Sequence, residues 1–141
     1  MAQGLIEQHF SALNARDMDG VLGAFNNDVE WVAPGGVILH GPAQVESFLL
    51  AWWQAFPDAS YELGAHVVGE TVAALEGILI ATHKGTLHTP GGDIPATGRA
   101  VRVPYAAIIR LEGDQIKSKH LYFDLVQLLT ELGVRGELVE A

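Results

Sequence analysis

The spacing of hydrophobic residues divides the chain into a helical first part and a strand-rich second part. Apolar side chains recur at helical intervals over residues 5–13 and again over residues 18–25. The clearest helical stripe covers residues 45–56, and Pro57 ends it because proline disfavours helical geometry at the preceding residue. These patterns predict three helices, with one short strand, residues 29–32, between the second and the third.

After the third helix, long apolar stretches alternate with turn residues. Residues 61–68, 72–87, 100–111 and 115–124 are predicted to form four strands, and their order indicates an antiparallel meander whose bulges let a long sheet curl. A last short helix over residues 125–132 ends at a glycine. The predicted fold class is therefore α+β, a cone-shaped curled antiparallel sheet with the N-terminal helices packed on its concave face, enclosing a pocket.

Composition narrows the class of protein. A chain of 141 residues suits a single domain, residues 1–141. Its 17 acidic and 8 basic residues give a formal net charge of −9, which argues against nucleic acid and anionic membrane surfaces as partners. The absence of cysteine excludes disulfides and thiol nucleophiles. No signal peptide and no membrane-spanning stretch are visible, so a soluble cytoplasmic protein is expected.

The last predicted strand carries the candidate catalytic residues. With regular alternation of side chains, His120, Tyr122 and Asp124 share one face of the sheet. Asp124 would act as general acid/base if a pocket desolvates its carboxylate, and His120 and Tyr122 would hold an enolate oxygen by hydrogen bonds. The alternatives are that Asp124 caps the helix beginning at Leu125, that Tyr122 is core, and that His120 is a satisfied interior histidine.

Other residues are candidates for substrate binding. Trp31, Trp53 and Phe56 would form an aromatic wall suited to a lipophilic ligand, although an apolar helical stripe is also typical of plain core. His83 lies on a central predicted strand, and Arg99 would either anchor a substrate carboxylate or pair with a local acid. The histidine spacing forms no metal-ligand set and no loop resembles a phosphate cradle, so neither a metal nor a cofactor is expected.

Several segments resemble the SnoaL-like polyketide cyclases, a branch of the nuclear-transport-factor-2-like superfamily of α+β folds. The more specific matches are Ala55-Phe56-Pro57-Asp58 and Ile94-Pro95-Ala96-Thr97-Gly98-Arg99. Asp28-Val29-Glu30-Trp31, Pro34-Gly35-Gly36 and Tyr122-Phe123-Asp124 follow the same order and spacing. The resemblance extends over nearly the whole chain.

The resemblance implies a cofactor-free enzyme that closes a ring by intramolecular aldol condensation. It implies a hydrophobic carbonyl substrate, a homodimer, and a general acid/base at the end of the last long strand, a motif position that Asp124 occupies. The superfamily also includes ketosteroid isomerases, limonene epoxide hydrolases and non-catalytic binding modules. A ketosteroid-isomerase-like enzyme, an epoxide hydrolase and a small-molecule-binding module therefore stay as alternatives.

Overall fold

A computed structural model describes residues 2–89 and 91–134 of the chain. Within these residues the elements, in chain order, are α1 (Ala2–Ala15), α2 (Met18–Gly23), β1 (Phe25–Ala33), β2 (Val37–His40), α3 (Pro42–Ala55), β3 (Ser60–Val68), β4 (Val72–Thr82), β5 (Leu87–Thr89), β6 (Gly92–Ile94), β7 (Ala100–Glu112), β8 (Gln115–Phe123) and α4 (Leu125–Glu131). Most helical residues precede the long strands, which confirms the predicted α+β class.

Local sequence signals explain where the helices begin and end. The Asp17 carboxylate accepts a hydrogen bond from the backbone N–H of Gly20, 3.0 Å away, and so caps α2. Pro42 lies in the first turn of α3, where a missing N–H costs nothing. Gly133 follows α4 with φ of 82°, a backbone conformation that glycine adopts without strain.

The main sheet is mixed rather than wholly antiparallel. Its strand order is β2-β1-β8-β7-β4-β3, and all neighbours are antiparallel except β1 and β8, which run parallel. The predicted antiparallel meander is confirmed, because β3, β4, β7 and β8 pair in this order and each pair is antiparallel. The parallel pair lies outside the meander and joins β1 to the last strand. Bulges in β3, between Leu63 and His66, and in β8, at Lys117, interrupt the ladders and increase the local twist. The sheet therefore curls, and in the described residues β2 and β3 form its open edges.

The core lies between the concave face of this sheet and helices α1 and α3. Phe10 of α1 stacks on Tyr105 of β7, with ring centroids 6.3 Å apart. Trp52 of α3 packs against Phe123 of β8 at 6.4 Å. These contacts confirm the prediction that the N-terminal helices cover the concave face.

The shortest elements differ most from the sequence prediction. Phe25 begins β1 instead of ending the second helix, and β4 ends at Thr82 instead of residue 87. Strand β2 and the β5–β6 hairpin were not predicted, because three or four residues carry too little periodicity to be recognised. No helix in residues 2–89 and 91–134 has the length and apolar character needed to cross a membrane.

Candidate functional site

A cavity of about 80 Å³ lies between the concave face of the sheet and helix α3. Helix α4 and strand β5 also contribute to its lining. The residues that line it are Trp31, Ala33, Pro34, Val37, Phe48, Leu49, Trp52, Tyr61, Leu79, Leu87, His88, Thr89, Tyr105, Leu121, Phe123, Leu125 and Leu128. Most of these side chains are aliphatic or aromatic, so the cavity suits an apolar ligand that meets only a few polar atoms.

Two indole N–H groups supply polar atoms on this apolar wall. The Nε1 atom of Trp31 is buried and has no hydrogen-bond partner in the described structure. The Nε1 atom of Trp52 is also buried, and it lies near the Tyr61 hydroxyl without forming a well-aligned hydrogen bond to it. Buried donors are nearly always paired in folded proteins, so an unpaired one calls for an explanation. A ligand that carries a carbonyl oxygen would accept from either indole and remove the desolvation cost of the unpaired donor.

Two buried tyrosines complete the polar lining of the cavity. The rings of Tyr61 and Tyr105 meet edge to face, with centroids 5.7 Å apart. Burial raises the pKa of both phenols, so both hydroxyls stay protonated at neutral pH. The Tyr105 hydroxyl donates to the backbone carbonyl of Glu62 at 3.3 Å. This hydroxyl fits against β4 because residue 77 is a glycine, where any Cβ would collide with the phenol.

A histidine and an aspartate form a pair at the rim of the cavity. His88 of β5 lines the cavity, and its Nδ1 lies 2.8 Å from Oδ1 of Asp93, its cross-strand neighbour on β6. The His88 side chain is 59% exposed, so its ring is open to solvent, while the residue also contributes to the cavity lining. A carboxylate that holds Nδ1–H leaves Nε2 free to accept a proton. The pair can therefore act as a general base at the cavity entrance.

A lysine and a histidine form a second, fully buried pair next to the cavity. Lys119 Nζ lies 3.0 Å from His9 Nε2, under α1 and beside the ring of Trp31. Burial lowers the pKa of Lys119 to about 7. Burial, and secondarily the charge of Lys119, lowers the pKa of His9 well below its ordinary value. An amine held in this way is uncharged in a large share of molecules at neutral pH.

A bulge in β8 reverses the faces that regular alternation predicts. Arg110 of β7 pairs with Ser118, but the next residue, Leu111, pairs with Ile116. Lys117 is therefore an extra residue in β8. Each side chain after the bulge points to the face opposite to the one expected by counting from Ile116.

The predicted placement of His120 and Tyr122 in the pocket is therefore wrong. Lys119 and Leu121 face the concave side instead, while His120 and Tyr122 lie on the convex face. His120 Nε2 lies 2.8 Å from Oε1 of Glu30 on the neighbouring strand. Tyr122 is 54% exposed and does not line the cavity.

Asp124 lies at the N-terminus of α4 and not in the cavity. Its Oδ1 accepts from the backbone N–H of Gln127 at 3.0 Å, which is the arrangement of a helix cap. Its neighbours Phe123 and Leu125 both line the cavity, but the Asp124 side chain is exposed. The structure thus has the capping arrangement that the sequence left as an alternative. The role of Asp124 as proton shuttle stays a prediction.

Of the predicted substrate-binding residues, only Trp31 lines the cavity. Phe56 is fully buried between Trp52 and His83. Trp53 is half-buried outside the cavity lining. Arg99 donates from its guanidinium to the backbone carbonyl of Glu131, near the C-terminus of α4, at 3.5 Å.

His83 has a structural role in joining the two motifs that carry the family resemblance. Its Nδ1 lies 2.9 Å from the hydroxyl of Thr97, and its backbone bonds to Gly98 and Arg99. The neighbouring Thr82 donates both its N–H and its hydroxyl to the Asp58 carboxylate, each at 2.7 Å. Burial lowers the pKa of His83, partly offset by a backbone hydrogen bond, which favours a neutral ring. The two motifs are therefore packing and turn signatures.

Sequence reasoning missed Lys119, His9 and His88 as functional candidates. His9 falls on the apolar stripe of α1, and a polar residue on such a stripe is the signal that could have marked it. The pairing of His88 with Asp93 could not be predicted, because it depends on the β5–β6 hairpin, which the sequence does not indicate. Within residues 2–89 and 91–134, no three His, Asp or Glu side chains converge as a metal site would require.

Comparison with known proteins places the chain in a family. The model of the SnoaL-like domain matches residues 6–119. No curated protein matches the chain. Among solved structures, a protein from Xanthomonas campestris pv. campestris, provisionally named a polyketide cyclase, has a TM-score of 0.83 at 21% identity, covering 93% of this chain and 96% of its own.

Other similar structures have different names. A protein from Jannaschia sp. CCS1, provisionally named a SnoaL-like polyketide cyclase, has a TM-score of 0.83 at 17% identity over 96% of this chain and 93% of its own. AclR from Streptomyces galilaeus, provisionally named a hydroxylase, has a TM-score of 0.80 at 20% identity, covering 96% of this chain and 86% of its own. At such identities the likeness establishes the fold, and the family match establishes the lineage. The chain belongs to the SnoaL-like domain family.

Proposed function

We propose that this protein binds a small apolar carbonyl compound in the cavity and transfers a proton at the carbon next to the carbonyl. The observation that carries the proposal is the buried, unpartnered indole N–H of Trp31 on an apolar wall, to which Trp52 adds a second buried indole N–H. Either donor suits a carbonyl oxygen, which becomes a better acceptor as it gains enolate charge. Family membership supports the same class of chemistry.

The size of the cavity limits the ligand. An apolar cavity of roughly 150 Å³ is known to hold benzene. A cavity of about 80 Å³ therefore suits a flexible molecule with fewer heavy atoms than benzene, such as butanone or butanal, unless the hairpin moves. A polyketide with several rings would need the β5–β6 hairpin to open first.

The proton acceptor in this proposal is Nε2 of His88. Asp93 holds Nδ1, and residue 88 belongs to the cavity lining although its side chain is largely exposed. A carbonyl compound whose oxygen meets one of the indoles would have its neighbouring C–H bonds within the cavity. Asp124, the acid that the resemblance implies, is the competing candidate because both its neighbours line the same cavity.

Binding is tested by the indole N–H signals of the ¹⁵N-labelled protein titrated with butanone. We expect the Trp31 and Trp52 signals to move downfield as their N–H groups begin to donate. Trp53 is an internal control, because its Nε1 is also buried and unpartnered but does not line the cavity. Equal shifts of all three signals, or no shift at saturating butanone, would contradict binding at this site.

Proton transfer is tested by the exchange of butanone C–H for deuterium in deuterium oxide, followed by proton NMR. We expect His88→Gln to slow the protein-catalysed exchange by about 100- to 10,000-fold, the usual contribution of a general base. Asp124→Asn is the matched variant, because asparagine also caps a helix, and it should retain exchange within a few-fold. Loss of exchange in Asp124→Asn, with His88→Gln active, would assign the proton transfer to the aspartate.

A non-catalytic binding module is the second candidate. It is favoured by one observation: among the residues that line the cavity, His88 is the sole histidine or charged side chain, and it is largely exposed. The two experiments separate the alternatives. Indole shifts on addition of butanone without any exchange above buffer would indicate a binding protein.

We also propose that the convex face of the sheet pairs two copies of the chain. One row of side chains on this face crosses all six strands: Ile38, Val32, His120, Ile108, Ala74 and Val67. Ile38 and Val67 are largely exposed, and so is Tyr122 in the adjacent row. Exposed apolar groups that continue across a sheet favour a self-complementary interface.

The dimer is tested by light scattering during size-exclusion chromatography. We expect the mass of two chains for the unmodified protein and of one chain for Tyr122→Glu, because a carboxylate would be buried unpaired at the interface. Leu50→Glu, which changes an exposed leucine of α3, is the control and should stay dimeric. A single-chain mass for the unmodified protein at micromolar concentration would refute the proposed pairing.

A further inference from the structure

The buried amine of Lys119 is the least explained group in the described structure. The residue is only 2% exposed, and Nζ lies 4.5 Å from the centre of the Trp31 ring and 4.9 Å from that of Phe10. Its one polar neighbour is His9, 3.0 Å away. Within the described residues, no Asp or Glu forms an ion pair with it.

Such a surrounding favours the uncharged amine, which is the reactive form. Two aromatic rings and a neutral imidazole cannot neutralise an ammonium ion as a carboxylate does, so burial lowers the pKa of Lys119 to about 7. An ordinary solvated lysine is almost wholly protonated at that pH. Desolvation in an apolar site is one of the ways in which proteins turn a lysine into a nucleophile towards carbonyl carbon.

Trp31 is the side chain that links this amine to the cavity. Its ring contacts Nζ and also lines the cavity, and Leu121, two residues after Lys119 on the same face, lines it as well. The Trp31 Nε1 has no hydrogen-bond partner, so no polar contact anchors the indole. The indole also packs against the rings of His9, Phe25 and Phe48, so it has to move before the carbonyl carbon of a cavity-bound ligand can reach Nζ.

We propose that Lys119 forms an imine with the carbonyl carbon of a small apolar aldehyde or ketone bound in the cavity. The inference rests on the proposed binding of a carbonyl compound there. The Nζ lone pair attacks the carbonyl carbon and a proton passes from nitrogen to oxygen, giving a carbinolamine. Its hydroxyl then leaves as water when protonated, and a C=N bond replaces C=O with no oxidant or reductant required.

His9 is placed to carry the protons of these steps. Its Nε2 is within hydrogen-bond distance of Nζ and can take the proton that the amine loses on attack. His9 can pass this proton to the carbonyl oxygen, which completes the carbinolamine. A second proton, taken up from solvent, lets the hydroxyl leave as water and leaves the protonated imine. The protonated imine withdraws electrons from the neighbouring carbon, so it would also assist the proton removal proposed for His88.

The experiment is reductive trapping of the full chain with butanal and sodium cyanoborohydride at neutral pH, followed by peptide mass mapping. The chain has three lysines, and the exposed Lys84 and Lys117 are internal controls. We expect Lys119 to be alkylated at least about tenfold faster than either, because ordinary lysines are protonated under these conditions. Lys119→Met should abolish the fast adduct, whereas Lys117→Met should leave it unchanged.

Two outcomes would overturn the imine. One is alkylation confined to the exposed lysines and the chain terminus, with Lys119 reacting only after the protein is unfolded in urea. The other is reaction of Lys119 only in Trp31→Ala, which would mean that the native indole seals the amine. The indole titration with butanone distinguishes failure of the imine proposal from failure of the proposed function. If the cavity binds carbonyl compounds, Lys119→Met should still show the Trp52 shift.

Discussion

Replacing Lys119 by methionine is expected to raise the free energy of unfolding at neutral pH. Methionine is close in length to lysine and is well suited to contact the Phe10 and Trp31 rings. The change removes an amine that is buried without an acidic partner, and such groups are retained at a cost in stability. The substitution also leaves His9 Nε2 without its hydrogen-bond partner, and an unsatisfied buried group lowers stability by about 1–3 kcal/mol.

The pH dependence decides the size of this effect. The pKa of Lys119 is lowered from 10.5 to about 7 in the folded chain. Each pKa unit corresponds to about 1.4 kcal/mol. Because the unfolded chain binds this proton more tightly, the free energy of unfolding is lowered by on the order of 5 kcal/mol at pH 7 and below. The native chain therefore gains stability as pH rises from 7 towards 10.5, because the unfolded state holds the additional proton in that range.

Urea denaturation of both proteins across this pH range measures the effect. At about pH 7 the variant should be more stable than the unmodified chain by roughly 2–4 kcal/mol, the 5 kcal/mol less the penalty at His9. The advantage should vanish towards pH 10 and turn into a small deficit above it, because the penalty at His9 remains. Lys117→Met, at an exposed lysine, should change stability by less than about 0.5 kcal/mol at every pH. A destabilised Lys119→Met with an unchanged pH profile would mean that the amine is solvated in the native state.

Replacing Gly77 by alanine is expected to lower stability by about 3 kcal/mol or more, at the upper end of the cost of overpacking. A Cβ at this position of β4 would collide with the backbone carbonyl of Glu62 and would approach the Tyr105 hydroxyl to 2.7 Å. Both neighbours belong to strands paired with β4, so neither can move without disturbing the ladder. The phenol of Tyr105 would be pushed towards the cavity that it lines.

Thermal and urea denaturation of Gly77→Ala measure this loss, with Gly4→Ala as the matched control. A Cβ at Gly4, within α1, has no atom within 4 Å, and alanine there should stabilise the chain by about 0.4–1 kcal/mol. A Gly77→Ala protein as stable as the unmodified chain would show that β3 and Tyr105 can shift freely. Cavity-directed displacement of Tyr105 should also reduce the indole shifts caused by butanone.

The cavity and its two pairs of ionisable side chains give one chain two ways to activate a carbonyl compound. His88, held by Asp93, stands at the rim, and Lys119, beside His9, lies behind Trp31. The rim pair would need only a bound ligand, whereas the buried pair needs the indole to rotate. The trapping and exchange experiments therefore address different residues and can fail separately.

The helices and long strands could be predicted because their signals are local. The apolar stripe of α3 ends at a proline, Asp17 begins α2, and Asp124 begins α4, each through bonds within a few residues. The fold class followed from the order of these elements. The three-residue strands of the hairpin were missed because their pairing with each other, rather than their periodicity, makes them strands.

The candidate site could not be predicted in the same way, because it depends on the face to which each side chain points. One extra residue at Lys117 moves His120 to the convex face and turns Lys119 inward. That bulge exists only through the pairing of β8 with β7, and nothing in the sequence of β8 alone marks it. The parallel contact of β1 with β8 then brings Trp31 against Lys119.

By itself, the sequence determined the α+β class, the order of the long elements, the capping residues and the family motifs around His83. Each of these depends on periodicity, on glycine and proline, or on bonds between near neighbours. Only the tertiary structure decided which polar groups enter the interior. Cross-strand register and helix packing join His9 to Lys119 across 110 residues and place two buried indole N–H groups beside one cavity. Such contacts arise from the packing of the whole chain, so no local pattern could contain them.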